Sequence, residues 1–265
     1  MASRKPVPGP LSRQSACSSA LTAPFSQTAS RQNIIITNCA ACAAPLAHDA
    51  PRCVRCKTRY CDSTCQHDHW RRGHKQICKN IHRGGNAEQY NADKRYKEAV
   101  KVAVEACTED TKGQKCYICP EAVHPRTGEG LVRGCACGDR DDVSSPELGV
   151  VHVSCLARQA QVVVEESEMN SGHVNYTRWD TCSLCEQQYH GVVQRALGWA
   201  CWKAYNSRPE RDVTYFVAMR QLANCLQPID SVRVQEECIA KWATSVRPCF
   251  KNRSGLILQR PWSTR

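Results

Sequence analysis

Between residues 86 and 107 the apolar positions recur with the period of a helix. Tyr96, Ala99, Val100, Ala103, Val104 and Cys107 form one stripe, and Lys94, Arg95, Lys97, Glu98 and Lys101 fill the opposite face. That pattern predicts a helix that lays its apolar side on a neighbouring module. Residues 191–205 (GVVQRALGWACWKAY) predict a second helix, ending ahead of Arg208-Pro209. Residues 212–226 and 229–243 predict an antiparallel pair with Pro228 at the turn. No run is long enough to cross a bilayer. Arg195 and Lys203 interrupt the best candidate.

Composition explains how so little patterned sequence can fold. Of 265 residues only three are Phe, and aromatic residues make up 6%, so one large apolar core is not expected. The chain instead carries 20 Cys, gathered mostly in residues 39–78 and 116–185. Small modules of this kind are held together by metals or disulfides. A secreted disulfide framework calls for a signal peptide, and residues 1–33 contain no continuous apolar segment. It also leaves the repeated CxxC pairs and their spaced His unexplained, so metal is the better reading.

The formal charge of +11 counts every thiol as neutral. Fourteen thiolates holding four Zn2+ would lower it by six, to about +5. A charge that modest does not call for nucleic acid. The basic residues of the first block (Arg52, Arg55, Lys57, Arg59, Arg71, Arg72, Lys75) read as a surface that offsets its own thiolates.

The first block runs Cys39-x2-Cys42-x10-Cys53-x2-Cys56-x4-Cys61-x3-Cys65-x8-His74-x3-Cys78. Eight N or S ligands make two closed tetrahedral zinc sites, and closed sites are structural. His74 and Cys78, four apart, fall on one face of a short helix. With Tyr60, Gln66, Trp70 and Lys75 at their places, the block resembles the MYND finger family. The resemblance implies that Cys39, Cys42, Cys61 and Cys65 share one zinc, and Cys53, Cys56, His74 and Cys78 the other. It also implies a protein-interaction role, the binding of short and often proline-rich peptides. Trp70 is expected to pack on the metal core; His67 and His69 are extra candidates for ligation, with a place on the surface the expected reading for both.

The second block runs Cys116-x2-Cys119-x15-Cys135-x1-Cys137-x14-His152-x2-Cys155-x26-Cys182-x2-Cys185, again eight ligands. The words CYIC, RGCACG, VHVSCL and W-x-x-CSLC resemble a RING-CH finger in order. Two features depart from that family: the spacer from Cys137 to His152 is long, and LARQAQ after Cys155 lacks a Trp. RING-type modules bind a ubiquitin-conjugating enzyme and act by positioning its thioester, without a nucleophile of their own. By position in the motif, Ile118 and Leu184 would contact that enzyme. The segments AMRQLANCL and SVRVQEECIAKW resemble the opening helix pair of a kinesin-light-chain-type TPR array.

The expected fold is therefore a set of small zinc-stabilised modules, two cross-brace fingers with little regular sheet, joined and followed by α-helices. The expected organisation is a disordered tail over 1–33, a MYND-type finger over 39–78 and a connecting helix over 86–107. A RING-CH-like finger over 113–190, a helical tail over 191–250 and an unstructured end over 251–265 follow. Cys201, Cys225, Cys238 and Cys249 read as ordinary core or incidental thiols. The expected location is intracellular, cytoplasm or nucleus, although the Ser, Ala, Pro and Arg of the tail are also the composition of an organelle transit peptide. Two functions stand side by side: a ubiquitin-ligase-like adaptor, and a scaffold without enzymatic activity that gathers protein partners.

Overall fold

The computed structural model describes residues 37–139, 149–170 and 174–250. The tail over 1–33, the end over 251–265 and most of the long spacer before His152 lie outside the described residues. Seven helices carry the fold among those described: α1 (Ser63–His69), α2 (Lys75–Arg83), α3 (Ala87–Cys107), α4 (Val153–Asn170), α5 (Gly191–Tyr205), α6 (Val213–Asn224) and α7 (Pro228–Phe250). Strand pairing among the described residues is limited to isolated bridges, such as Arg52 with Arg59 and Val132 with Val151.

Local chemistry starts the helices where they start. Asp62, Asn86 and Asp212 stand in extended backbone at the N-termini of α1, α3 and α6. Their side chains accept from the amides of Cys65 (2.8 Å), Gln89 (2.9 Å) and Thr214 (2.8 Å), replacing bonds that a first helical turn lacks.

The middle of the molecule is α5. It is apolar nearly all round, with Val193, Ala196, Leu197, Trp199, Cys201, Trp202 and Tyr205 buried, the pattern of a helix surrounded by protein. Helices α3, α4 and α6 pack on it, and α7 packs on α6. Gly198 makes the α5–α6 approach feasible. A Cβ there would sit 2.5 Å from the Cys225 sulfur.

Helix α3 spans the predicted range, and its stripe is buried as expected except for Val104, which is half-buried. It packs on a neighbouring module, as its apolar stripe predicts. Tyr96, Val100 and Ala103 belong to one core with α5 and with the second cysteine block. Helix α4 fills most of the spacer between Cys155 and Cys182, and α7 extends beyond its predicted end. The first block has its own small core of Cys39, Cys53, Cys56, Tyr60, Cys78, Ile81 and Ala87. No helix among the described residues is long and apolar enough to cross a membrane.

Candidate metal centres

The chain makes its ligand pairs from a repeated turn. In all four CxxC knuckles the amide of the first Cys donates to the carbonyl five residues on: Cys39 to Ala44 (2.8 Å), Cys53 to Thr58 (2.7 Å), Cys116 to Glu121 (3.0 Å) and Cys182 to Gln187 (2.9 Å). In three of them the residue after the second Cys donates back to the first, from Ala43 (2.9 Å), Lys57 (3.0 Å) and Glu186 (3.1 Å). Those three residues take φ values of 63°, 62° and 58°, a left-handed turn that curls the backbone around its sulfurs. Amides inside the loops point at sulfur: Ala41 to Cys39, Ile118 to Cys116 and Leu184 to Cys182, each at 3.4 Å. Such bonds favour the thiolate, the form that binds metal.

Sixteen ligand side chains then gather into four groups, each with its donor atoms within 4.8 Å of one another. Cys39, Cys42, Cys61 and Cys65 form one, and Cys53, Cys56, His74 and Cys78 the next. In the second block Cys116 and Cys119 meet His152 and Cys155, while Cys135 and Cys137 meet Cys182 and Cys185. In each block the first and third ligand pairs along the chain meet, as do the second and fourth. Every sulfur and imidazole named from the sequence as a ligand is thus placed in a group of four.

Different devices bring each late ligand home. In the first block the helical path breaks at Gly73, whose φ of 128° swings His74 back beneath Tyr60 and Trp70. The His74 Nε2 then lies 3.4 Å from the Cys56 sulfur. In the second block Glu129 accepts from the Ser154 amide (2.6 Å) and hydroxyl (2.8 Å), fixing the start of α4 and so His152 and Cys155. Tyr96 on α3 hydrogen-bonds the same Ser154 at 3.0 Å. His152 presents Nδ1 to Cys119 at 3.3 Å. Two hydrogen bonds between Val132 and Val151, 2.8 and 3.0 Å, pin both ends of the long spacer.

The donors fit zinc and fit poorly as bare thiols. Burial pushes Cys39 up, but backbone amides outweigh it and bring the thiol down to about 7. Cys53 and Cys116 move down by the same balance. A hydrogen bond from Cys135 holds Cys182 at about 4. Their neighbours move the other way. The hydrogen bond to Cys42 lifts Cys61 to about 11, and burial lifts Cys78 to about 12. Three or four thiols crowded this closely cannot all ionise unless a cation offsets the repulsion, as Zn2+ would. Burial lowers His74 and His152 as well, which keeps both rings neutral and able to bind metal.

Several supporting residues differ from their sequence reading. His67 is exposed as expected, but His69 is half-buried. It stacks on His74 with centroids 4.8 Å apart and hydrogen-bonds the Tyr60 hydroxyl at 3.0 Å. Trp70 packs edge-on against His74 while staying 39% exposed. Arg59 is not part of the basic surface. It is 1% exposed and pairs with Glu237 of α7 at 2.9 Å. His124 went unnoticed in the sequence because no ligand spacing marks it. It is buried edge-on to His152 at 5.3 Å, and its Nδ1 accepts from the Thr127 amide and pairs with its hydroxyl. Ile118 and Leu184, named as contact residues, are 38% and 42% exposed on their zinc loops.

Comparison with known proteins bears on the first block. The MYND finger family matches residues 39–78. Ubiquitin carboxyl-terminal hydrolase 17 of Arabidopsis thaliana is 43% identical over 56 residues, which cover 21% of this chain and 7% of that protein. Ubiquitin C-terminal hydrolase 15 of Oryza sativa subsp. japonica is 54% identical over 41 residues, 15% of this chain and 4% of its own length. This chain therefore spans less than a tenth of either relative, and the similarity falls at the finger. No solved structure matches the chain.

Proposed function

We propose that this chain is a zinc-held protein-interaction adaptor. The finger over 39–78 docks a short, proline-rich segment of a client, and a RING-CH-like module over 113–190 forms a second docking surface. Both modules are cross-braced by two zincs each, and α5 to α7 form the helical body that carries them. The observation behind this reading is the closure of all four ligand groups. Each already supplies four Cys or His donors, which fills a tetrahedral zinc and leaves no position for water or substrate. Such sites stabilise surfaces rather than run reactions. The plant hydrolases share the finger with this chain, so the similarity lends it a docking module and not the hydrolysis in their names.

Zinc would contribute structure here. Held by the sixteen named side chains, it supplies the cross-links that so few aromatic residues cannot. The residues themselves shape the loops, and the exposed Trp70 and Ile77 give the first finger apolar surface.

The test is capture of proline-rich peptides by the zinc-loaded full chain, compared with the chelated chain and with Cys53→Ser. Binding that needs zinc and is lost in the variant supports the adaptor. Equal retention with and without metal would sink it.

A second reading rests on a separate observation, the exposure of both Ile118 and Leu184. Large apolar side chains at the tips of two zinc loops form the surface a ubiquitin-conjugating enzyme would use. On this reading the adaptor is ligase-like, bringing a client to the conjugating enzyme and accelerating transfer by position alone.

A further inference from the structure

The four ligand groups differ in one respect that matters for chemistry, their access to solvent. The groups at Cys53 and at Cys135 are wholly buried, and in the Cys116 group Cys119 alone is half-buried. The Cys39 group is open: Cys42 and Cys61 are exposed and Cys65 is half-buried. Within it the Cys42 and Cys61 sulfurs stand 3.6 Å apart, and Cys65 lies 3.8 Å from Cys42. A disulfide needs the sulfurs at about 2.05 Å, so a shift of about 1.5 Å would join the first two.

The open group also lies beside the contact between the finger and α7. The Ala40 amide, inside the first knuckle, donates to the Arg59 carbonyl at 3.2 Å. Arg59 in turn reaches Glu237 at 2.9 Å and donates to the Ala47 carbonyl. Displacing the first knuckle therefore disturbs the backbone from which this side chain reaches α7.

We propose that Cys42 and Cys61 form a peroxide-sensitive pair, whose oxidation to a disulfide ejects zinc from this group alone and loosens the finger from α7. The inference rests on the zinc reading given above. One of the two thiolates attacks the peroxide; an S–O bond forms, the O–O bond breaks and hydroxide leaves, giving a sulfenic acid. The second thiolate attacks that sulfur, forms the S–S bond and expels the oxygen as hydroxide. Two thiolates lose two electrons, and one peroxide becomes two hydroxides that take protons from the buffer. Cys39 and Cys65 remain as two ligands, too few to keep a structural zinc. Access decides the order, because buried thiolates are shielded from an oxidant that must reach sulfur.

The experiment treats the zinc-loaded full chain with hydrogen peroxide beside a chromogenic zinc chelator. One equivalent of zinc is expected to leave about tenfold faster than the other three, following thiolate access. Peptide mapping after the fast phase should find Cys42 joined to Cys61, and hydrogen exchange should rise around Glu237 and Lys241. Cys42→His removes the pair, so it should lose the fast phase while zinc release from the other three groups is unchanged. If that variant does not load, mapping of the unaltered chain decides the matter alone. A loading count short of four before peroxide is added sinks the zinc reading and this inference with it. A count of four, followed by uniform release or by disulfides first in a buried group, overturns this inference alone.

Discussion

Arg59 of the first finger and Glu237 of α7 form an ion pair at 2.9 Å with both side chains almost sealed from water, although 178 residues separate them. The pair does not stand alone. The Lys241 ammonium, 1% exposed, lies 4.0 Å from Glu237 and donates to Glu210 and to the Tyr215 hydroxyl at 2.7 Å each. Charges removed from water need this density of partners, because desolvation cancels most of their attraction. The finger and the helical body are thereby fixed to each other by polar contacts.

Removing one member of this network should hurt more than removing two. Arg59→Met leaves Glu237 buried with Lys241 as its nearest cation, and should destabilise the zinc-loaded chain by about 3 kcal/mol. Arg59→Met with Glu237→Leu deletes both charges and should recover much of that loss. Urea melts of the wild type, both singles and the double decide it. Additive losses would mean that the two side chains do not act as a pair.

This network was invisible in the sequence, for a physical reason. Arg59 sits in a run with Arg52, Arg55 and Lys57, and charge alone does not tell the one residue that turns inward from those that stay in water. The four candidate ligand groups were legible because a zinc site calls for regular spacing between neighbours in the chain, and the knuckle turn is local. Helix α3 was legible because its stripe is continuous. What it packs against was not, since contact with α5 and with Ser154 of the second block depends on residues 58 or more positions away. His69 and His124 escaped because they serve the ligands through ring contacts, which leave no spacing rule.

Gly73 should resist substitution more than its surroundings suggest. A Cβ there meets nothing closer than the Gln76 amide oxygen at 3.8 Å, so space is not the constraint. The φ of 128° is, and an L side chain in such backbone costs about 1–3 kcal/mol. Gly73→Ala should weaken zinc binding at the His74 group while sparing the second block. Competition with a chelator of known affinity would measure the loss, and unchanged affinity would show that His74 reaches its place without this turn.

The two blocks should respond differently to the loss of a ligand. Cys61→Ser should release protection across the first finger and part of α7, because only the small finger core and the Arg59 contact depend on it. Cys135→Ser should spread further, since Cys135 belongs to the same core as Tyr96, Leu197 and Trp202, and metal binding is folding free energy for such a module. Hydrogen exchange resolved along the chain reads both patterns. Equal loss everywhere in both variants would make the molecule one cooperative unit.

The ligase reading makes the riskiest prediction, and Ile118 carries it. Its side chain stands between the ligands Cys116 and Cys119, and its amide bonds the Cys116 sulfur through the backbone alone. Ile118→Ala therefore keeps that bond, and four zincs should still load. Leu184 holds the matching place between Cys182 and Cys185, with its own amide on Cys182. An apolar anchor at the centre of a small interface is worth about 2 kcal/mol, roughly thirtyfold in the affinity of a transient complex. Ile118→Ala should cut ubiquitin transfer by about that factor, and Leu184→Ala should do likewise, with zinc content unchanged in both. The measurement is autoubiquitination across a panel of conjugating enzymes, with metal analysis of each variant. If the wild type transfers nothing with any enzyme and neither variant alters partner capture, the second module is a docking surface only. The adaptor then works without ligase activity.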